Sequence, residues 1–250
     1  MLQAGAALSW LSVAGLGGCG SLWRPSPFPL QVLHDDDACT FKAPVLLVLL
    51  PGVYMAPQEM RDQGMVAALR KRRLAVDVVI AGASVEYLYD GSILDRLHTD
   101  VIAPYRSSGY RRIWLAGVSL GAYVAMRYAQ QHPGQIEGIV AIAPYLGREA
   151  LVQEVAAAGG PWRWRSGASA RTDDADRGLW LWLAARPVDA PTLYLAHGRE
   201  DRFALAHRML AHTLEPSRIL AVPGGHDWPP WRNLWLNWLD LGLLPQACTV

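Results

Sequence analysis

The chain has 250 residues, 52% hydrophobic and 18% charged, which suits one large domain better than two small ones and is ample for a substantial core. Its 23 Lys and Arg against 22 Asp and Glu give a formal net charge of +1. The cations are spread along the chain, which argues against nucleic acid as a partner, since such binders concentrate positive charge on one face.

From Met1 to Gly18 no side chain is charged, and Ala, Leu, Gly and Ser dominate. An apolar run ending in small residues reads as a removable export signal. Leu16-Gly17-Gly18-Cys19 is similar to a bacterial lipobox, in which Cys19 would carry the lipid, anchor the chain to a membrane and become its new N-terminus. Residues 19–29, with Arg24-Pro25-Ser26-Pro27-Phe28-Pro29, would then be a semi-extended tether. No Lys or Arg precedes the run, so a plain secretory signal and a cytosolic chain stand beside the envelope reading. With Cys19 lipidated, Cys39 and Cys248 remain. The first and last strands of the expected sheet lie toward opposite edges, and a disulfide would need the tail after Leu244 to cross between them. Two unpaired cysteines are therefore expected.

Leu30 to Leu33 and Cys39 to Phe41 could form a hairpin across His34-Asp35-Asp36-Asp37, an acidic turn that reads as solvated rather than metal-binding. Val45 to Leu50 is an unbroken Val/Leu run between Pro44 and Pro51, the pattern of a strand buried on both faces. Gln58 to Arg73 has helical spacing, Val76 to Ile80 reads as a strand, and Ser92 to Ala103 as a helix with an Ile93, Leu94, Leu97, Val101, Ile102 stripe. Ile113 to Ala116, Leu120 to Gln131 and Ile136 to Ala143 continue as strand, helix, strand. Thr192 to Ala196, Ala204 to Thr213, Arg218 to Val222 and Trp231 to Leu239 repeat the alternation. This order predicts an α/β fold: a mostly parallel sheet with helices on both faces. Tyr145 to Arg186 breaks the rhythm with helical pieces and no strand. An insertion after a strand's C-terminal end sits over the ligand crevice of such a sheet.

Gly117-Val118-Ser119-Leu120-Gly121 fits G-x-S-x-G, with a strand leading in and a helix leading out. The sharp turn needs small neighbours, and it presents the hydroxyl where helix N–H groups favour developing negative charge. A Ser hydroxyl needs a base to take its proton. Of seven histidines, His98, His132, His207 and His212 read as surface or helix-capping, and His34 belongs to the acidic turn. His226 follows the last strand in Pro223-Gly224-Gly225-His226, a loop able to deliver an imidazole to the crevice. The acid that fixes its tautomer is sought after the penultimate strand, in His197-Gly198-Arg199-Glu200-Asp201.

The order Ser, Asp, His and the segments around these residues resemble the α/β-hydrolase superfamily over nearly all of the chain after the tether. The resemblance implies that Asp201 is the acid, in the family's His-Gly-x-x-Asp motif. Glu200 is one residue early, Asp227 adjoins the base too closely to orient it, and His197 reads as structural. It also implies an oxyanion hole of two backbone N–H groups, one from Leu120 and one from the loop Pro51-Gly52-Val53-Tyr54. Val53 is the first choice there and Tyr54 the second, with Pro51 where the family usually has His. The insertion at 145–186 maps to the family's lid, making 30–250 one hydrolase domain. Its Trp162 and Trp164, alternating with Arg163 and Arg165, read either as an aromatic roof over the substrate or as a lid packing on its own domain or settling at a membrane interface. The Tyr54 side chain reads as either a hydroxyl donor to the substrate or a packing residue.

The resulting expectation is a serine hydrolase acting on a small-molecule ester, thioester or related acyl substrate, without metal or organic cofactor. Two alternatives remain: an acyltransferase or cofactor-free haloperoxidase-like enzyme on the same triad, and a non-catalytic binding module of this fold.

Overall fold

The computed structural model describes residues 29–35, 39, 42–82, 91–167 and 174–246. The export segment with Cys19, most of the tether, Thr40 and Phe41 of the expected hairpin, and Cys248 lie outside them.

Seven strands form one sheet in the order β1-β3-β2-β4-β5-β6-β7: β1 (Val32–Asp35), β2 (Val45–Leu50), β3 (Val76–Ala81), β4 (Arg112–Val118), β5 (Gly138–Ile142), β6 (Thr192–Gly198) and β7 (Ile219–Val222). All pairings are parallel except β1 with β3. The continuous Val/Leu pattern of β2 is explained by its place: every residue is buried, with Leu46, Val48 and Leu50 in the core on one face and Val45, Leu47 and Leu49 in the core on the other.

The helices are α1 (Pro57–Asp62), α2 (Met65–Lys71), α3 (93–107), α4 (Leu120–Gln131), α5 (Glu149–Ala157), α6 (Pro161–Gly167), α7 (Ala175–Ala185), α8 (Ala204–Ala211) and α9 (Trp228–Leu239). Side chains from α1, α2 and α9 fill one core and those from α3 to α8 the other, so both faces are covered, as expected. The helix expected over 58–73 is two, because Gly64 turns the chain at φ 87°. Within α3, Leu97–Ile102 is π-helical.

Among the described residues β1 pairs with β3, from Val32 against Ala81 to Asp35 against Val78. Two expectations need correction. The supposed acidic turn begins inside β1, where Asp35 accepts from Arg70 and His34 Nδ1 lies 2.7 Å from the Tyr105 hydroxyl. Cys39 is disulfide-bonded, with its partner outside the described residues. The described part of the C-terminal tail does not stay at the far edge of the sheet, because α9 returns it toward β3. Leu244 is buried in the α9-side core, and the Pro245 carbonyl accepts from Ala75 N–H at 2.7 Å beside the start of β3.

The registers align the C-terminal ends of the central strands: Leu50 pairs with Gly117, Val118 with Ile142, Ile142 with Ala196, and Gly198 with Val222. The loops after β2, β4, β5, β6 and β7 therefore open along one edge, where a parallel sheet places its ligand crevice.

Candidate active site

Ser119 stands between β4 and α4 at φ 53°, ψ −112°, a conformation costly for a residue with a side chain. Its surroundings hold it there. Its N–H donates to Ile142 at 2.8 Å, and its carbonyl accepts from Tyr145 N–H at 3.1 Å and Tyr123 N–H at 3.3 Å. The flanking glycines are required by close approach: a Cβ on Gly117 would fall on the Gly121–Ala122 peptide, and one on Gly121 on the Leu50 carbonyl.

The loops after β6 and β7 clasp each other. Gly224 N–H donates to Glu200 Oε2 at 2.5 Å, and Glu200 N–H donates to the Gly224 carbonyl at 3.2 Å. Gly198 lies so close under Gly224 that a Cβ would collide with the Gly224 carbonyl oxygen. Glu200, the alternative acid, thus holds the base loop in place and leaves Asp201 to face the imidazole.

These loops bring three of the expected residues together. His226 Nε2 lies 3.0 Å from Ser119 Oγ, and His226 Nδ1 lies 2.8 Å from Asp201 Oδ2. Ser119 and Asp201 are buried, and the His226 side chain is 8% exposed. The other Asp201 oxygen accepts from Phe203 N–H at 2.8 Å. Burial alone would raise the Asp201 carboxyl. The hydrogen bonds from His226 and Phe203 outweigh it and, with the nearby imidazoles, hold the carboxyl below its usual range. An ionised Asp201 accepts from His226 Nδ1–H, which leaves the Nε2 lone pair facing the serine hydroxyl.

Several contributors were not singled out in the sequence. The rings of Phe203 and Trp231 meet the His226 imidazole edge-on, each at 5.0 Å between centroids, and fix its plane from two sides. Their only sequence signal is position, just after the acid and just after the base. His207, expected at the surface or as a helix cap, is fully buried behind Asp201. Its Nε2–H donates to the Pro144 carbonyl at 3.0 Å, and burial pushes its pKa down to about 4, so it is neutral at pH 7. One clue was available: His207 lies one turn after Phe203 on the helix that follows the acid. His197 is buried as a structural residue, its Nδ1–H donating to the Gly198 carbonyl.

The loop Gly52–Met55 is a turn closed by Met55 N–H to the Gly52 carbonyl at 3.2 Å. A Cβ built on Gly52 would sit 3.5 Å from Ser119 Cβ, so this turn leans directly over the nucleophile. Leu120 opens α4, and no described hydrogen bond takes up its N–H or that of Val53. Tyr54 is 82% exposed at φ 59°.

The Trp pair divides differently from an aromatic roof. Trp164 is buried in the core, and its Nε1–H donates to Glu154 Oε1 at 2.8 Å. Arg177 pairs with the same Glu154, tying α5, α6 and α7 together. Trp162 is exposed and donates to the His212 carbonyl at the end of α8. The alternation of Trp and Arg reflects a short helix with Trp164 turned inward, and lid packing is the reading that fits Trp164.

Beside the triad a cavity of about 340 Å³ opens between the starts of α5 and α8. Tyr145, Glu149, Gln153, Arg202, Phe203 and Leu205 are among its lining residues. Phe203 lines it and also packs against His226, so the cavity adjoins the site.

No protein-family model and no curated protein sequence matches the chain. Solved structures do. The chain is similar to S-formylglutathione hydrolase of Staphylococcus aureus, with TM-score 0.59 and 14% identity over 87% of this chain and 97% of the other. It is similar to a ferulic acid esterase, with TM-score 0.56 and 16% identity over 86% and 97%. A fluorophosphonate-binding serine hydrolase of Staphylococcus aureus matches with TM-score 0.57 and 14% identity over 86% and 98%. The chain therefore has the α/β-hydrolase fold, with the helical insertion after β5.

Proposed function

We propose that the chain is a serine hydrolase that cleaves an ester, thioester or related acyl compound through an acyl-enzyme on Ser119. The observation that carries this reading is the unbroken chain of hydrogen bonds Ser119–His226–Asp201, at 3.0 and 2.8 Å, at the C-terminal edge of the sheet. The esterases and hydrolases among the structural neighbours are consistent with it.

In this reading Ser119 Oγ attacks the acyl carbon while His226 Nε2 takes its proton. The developing oxyanion is held by Leu120 N–H, at the start of α4, and by Val53 N–H, in the turn over the nucleophile. Asp201 stabilises the imidazolium that forms, and His226 then gives the proton to the leaving group. Water activated by the same imidazole attacks the acyl-enzyme, the acyl group leaves as the acid, and Ser119 recovers its proton. Tyr54, at the mouth of the site, contacts the part of the substrate that stays outside.

The test is intact-mass analysis after fluorophosphonate treatment of wild type and Ser119→Ala. One adduct on wild type and none on the variant is expected. A folded wild type that takes no adduct would overturn the reading and favour a binding module. We further infer an oxidising compartment, the cell envelope, with Cys19 as lipid anchor. The disulfide at Cys39 supports the oxidising compartment, because such bonds persist outside reducing compartments. The lipid anchor rests on the Leu16-Gly17-Gly18-Cys19 resemblance and requires Cys248 as the partner of Cys39.

A further inference from the structure

The cavity beside Ser119, His226 and Asp201 is lined mainly by apolar surface, yet one arginine stands in it with no ionic partner among the described residues. Arg202 directly follows the acid, is exposed, and pairs with no carboxylate among the described residues. Its guanidinium lies 4.8 Å from the centre of the Phe203 ring, and that ring lies 5.0 Å from the His226 imidazole. The charge is thus two ring contacts from the group that handles the proton. Stacking on Phe203 restricts the guanidinium while leaving its N–H fork free for a planar anion.

The adjoining helix does not account for a cation here. Arg202 precedes α8, at the end of a helix where the macrodipole disfavours positive charge. Glu149, across the cavity, opens α5, where the dipole favours its negative charge. The glutamate is explained by its helix, and the arginine is not.

We propose that Arg202 determines specificity and that the substrate bears a carboxylate on the part that enters this cavity. This rests on the serine-hydrolase reading and gives its substrate a class: an acyl compound with a single negative charge a few bonds from the scissile carbonyl. A carboxylate fits better than a phosphate monoester, whose charge of about −1.5 to −2 at neutral pH one guanidinium would not balance in a cavity that also holds Glu149.

The experiment compares two matched substrate pairs on wild type, Arg202→Gln and Arg202→Lys. One pair carries the charge on the acyl side: 4-nitrophenyl hemiglutarate against 4-nitrophenyl pentanoate. The other carries it on the leaving group: the butyryl thioester of 3-mercaptopropionate against that of propanethiol. Wild type should favour the carboxylated member of one pair by about tenfold in kcat/KM, a preference that shrinks with added salt. Arg202→Gln should remove the preference, and Arg202→Lys should keep part of it, since the charge stays while the fork is lost.

No preference in either pair, or one that survives in Arg202→Gln, overturns the proposal. Fluorophosphonate labelling separates its failure from that of the underlying reading. A wild type that labels at Ser119 but shows no preference loses Arg202 as a specificity residue and remains a serine hydrolase. A wild type that neither labels nor turns over any of the four compounds overturns both.

Discussion

The backbone of Ser119 gives a sharp test, because strain there reverses a familiar order of stability. At φ 53°, ψ −112° the residue lies outside the regions open to side-chain-bearing residues, and such a conformation costs about 1–3 kcal/mol. The mirror image of this conformation is extended backbone, and glycine, being achiral, reaches both alike. Ser119→Ala and Ser119→Gly both lose the hydroxyl and its bond to His226, so their difference isolates the Cβ. Glycine sheds the strain, loses about 0.4–1 kcal/mol to the greater freedom of its unfolded chain, and gives up at most about 0.8 kcal/mol of methyl burial. The balance is about 1 kcal/mol in favour of glycine. At an unstrained helical position the order is reversed by a similar amount. Urea unfolding of the two variants, with equal slopes, measures the difference directly. In a chain of this size the glycine variant should melt about 2–4 °C higher. Alanine proving the more stable by about 1 kcal/mol would refute the argument that the elbow is strained and held in place by its neighbours.

Two further predictions concern acid stability and the N-terminus. His207 is buried neutral, with its pKa pushed down to about 4, so the unfolded state binds a proton that the native state refuses between there and about pH 6.5. Its contribution is whole above that window and is lost as pH falls through it, up to about 3 kcal/mol. His207→Gln, which keeps a donor toward the Pro144 carbonyl but does not titrate, should flatten the loss of stability between pH 6.5 and 4 in pH-dependent urea titrations; an unchanged slope would contradict a buried neutral histidine. The envelope reading expects protein recovered from membranes to begin at Cys19 with a diacylglyceryl addition in its intact mass, and Cys19→Ala to be found in the soluble fraction; a mass that retains Met1 would refute it.

Where local chemistry admits one answer, sequence and structure coincide. The Val/Leu run of β2 suits only a strand buried on both faces, and the elbow glycines are forced by backbones that pass within contact distance. Ser119, Asp201 and His226 were legible for the same reason: each ends a strand, and parallel register brings all such ends to one edge. Contacts between elements distant in sequence were not legible. Trp164 faces inward because Glu154 and Arg177 meet it from two other helices, and nothing within Trp162-Arg163-Trp164-Arg165 carries that information. The Cys39 disulfide was discounted on the separation of the sheet edges, and the return of the tail by α9 to the start of β3 was not legible in the sequence.

His207 illustrates the same limit at the site itself. Its helix has an apolar stripe, and a histidine on such a stripe can face water or core according to what packs above it. Here the Pro144 carbonyl lies above it, one residue before Tyr145, whose N–H bonds the carbonyl of the nucleophile. A buried donor on α8 thus supports the segment that supports Ser119, while Asp201 begins the turn into the same helix. Ser119 and Asp201 are positioned through one element, which ties the Ser119–His226–Asp201 geometry to the seating of α8. The cavity with Arg202 opens at the start of that helix, so in the proposed function the walls facing the substrate and the residues attacking it would share a common support.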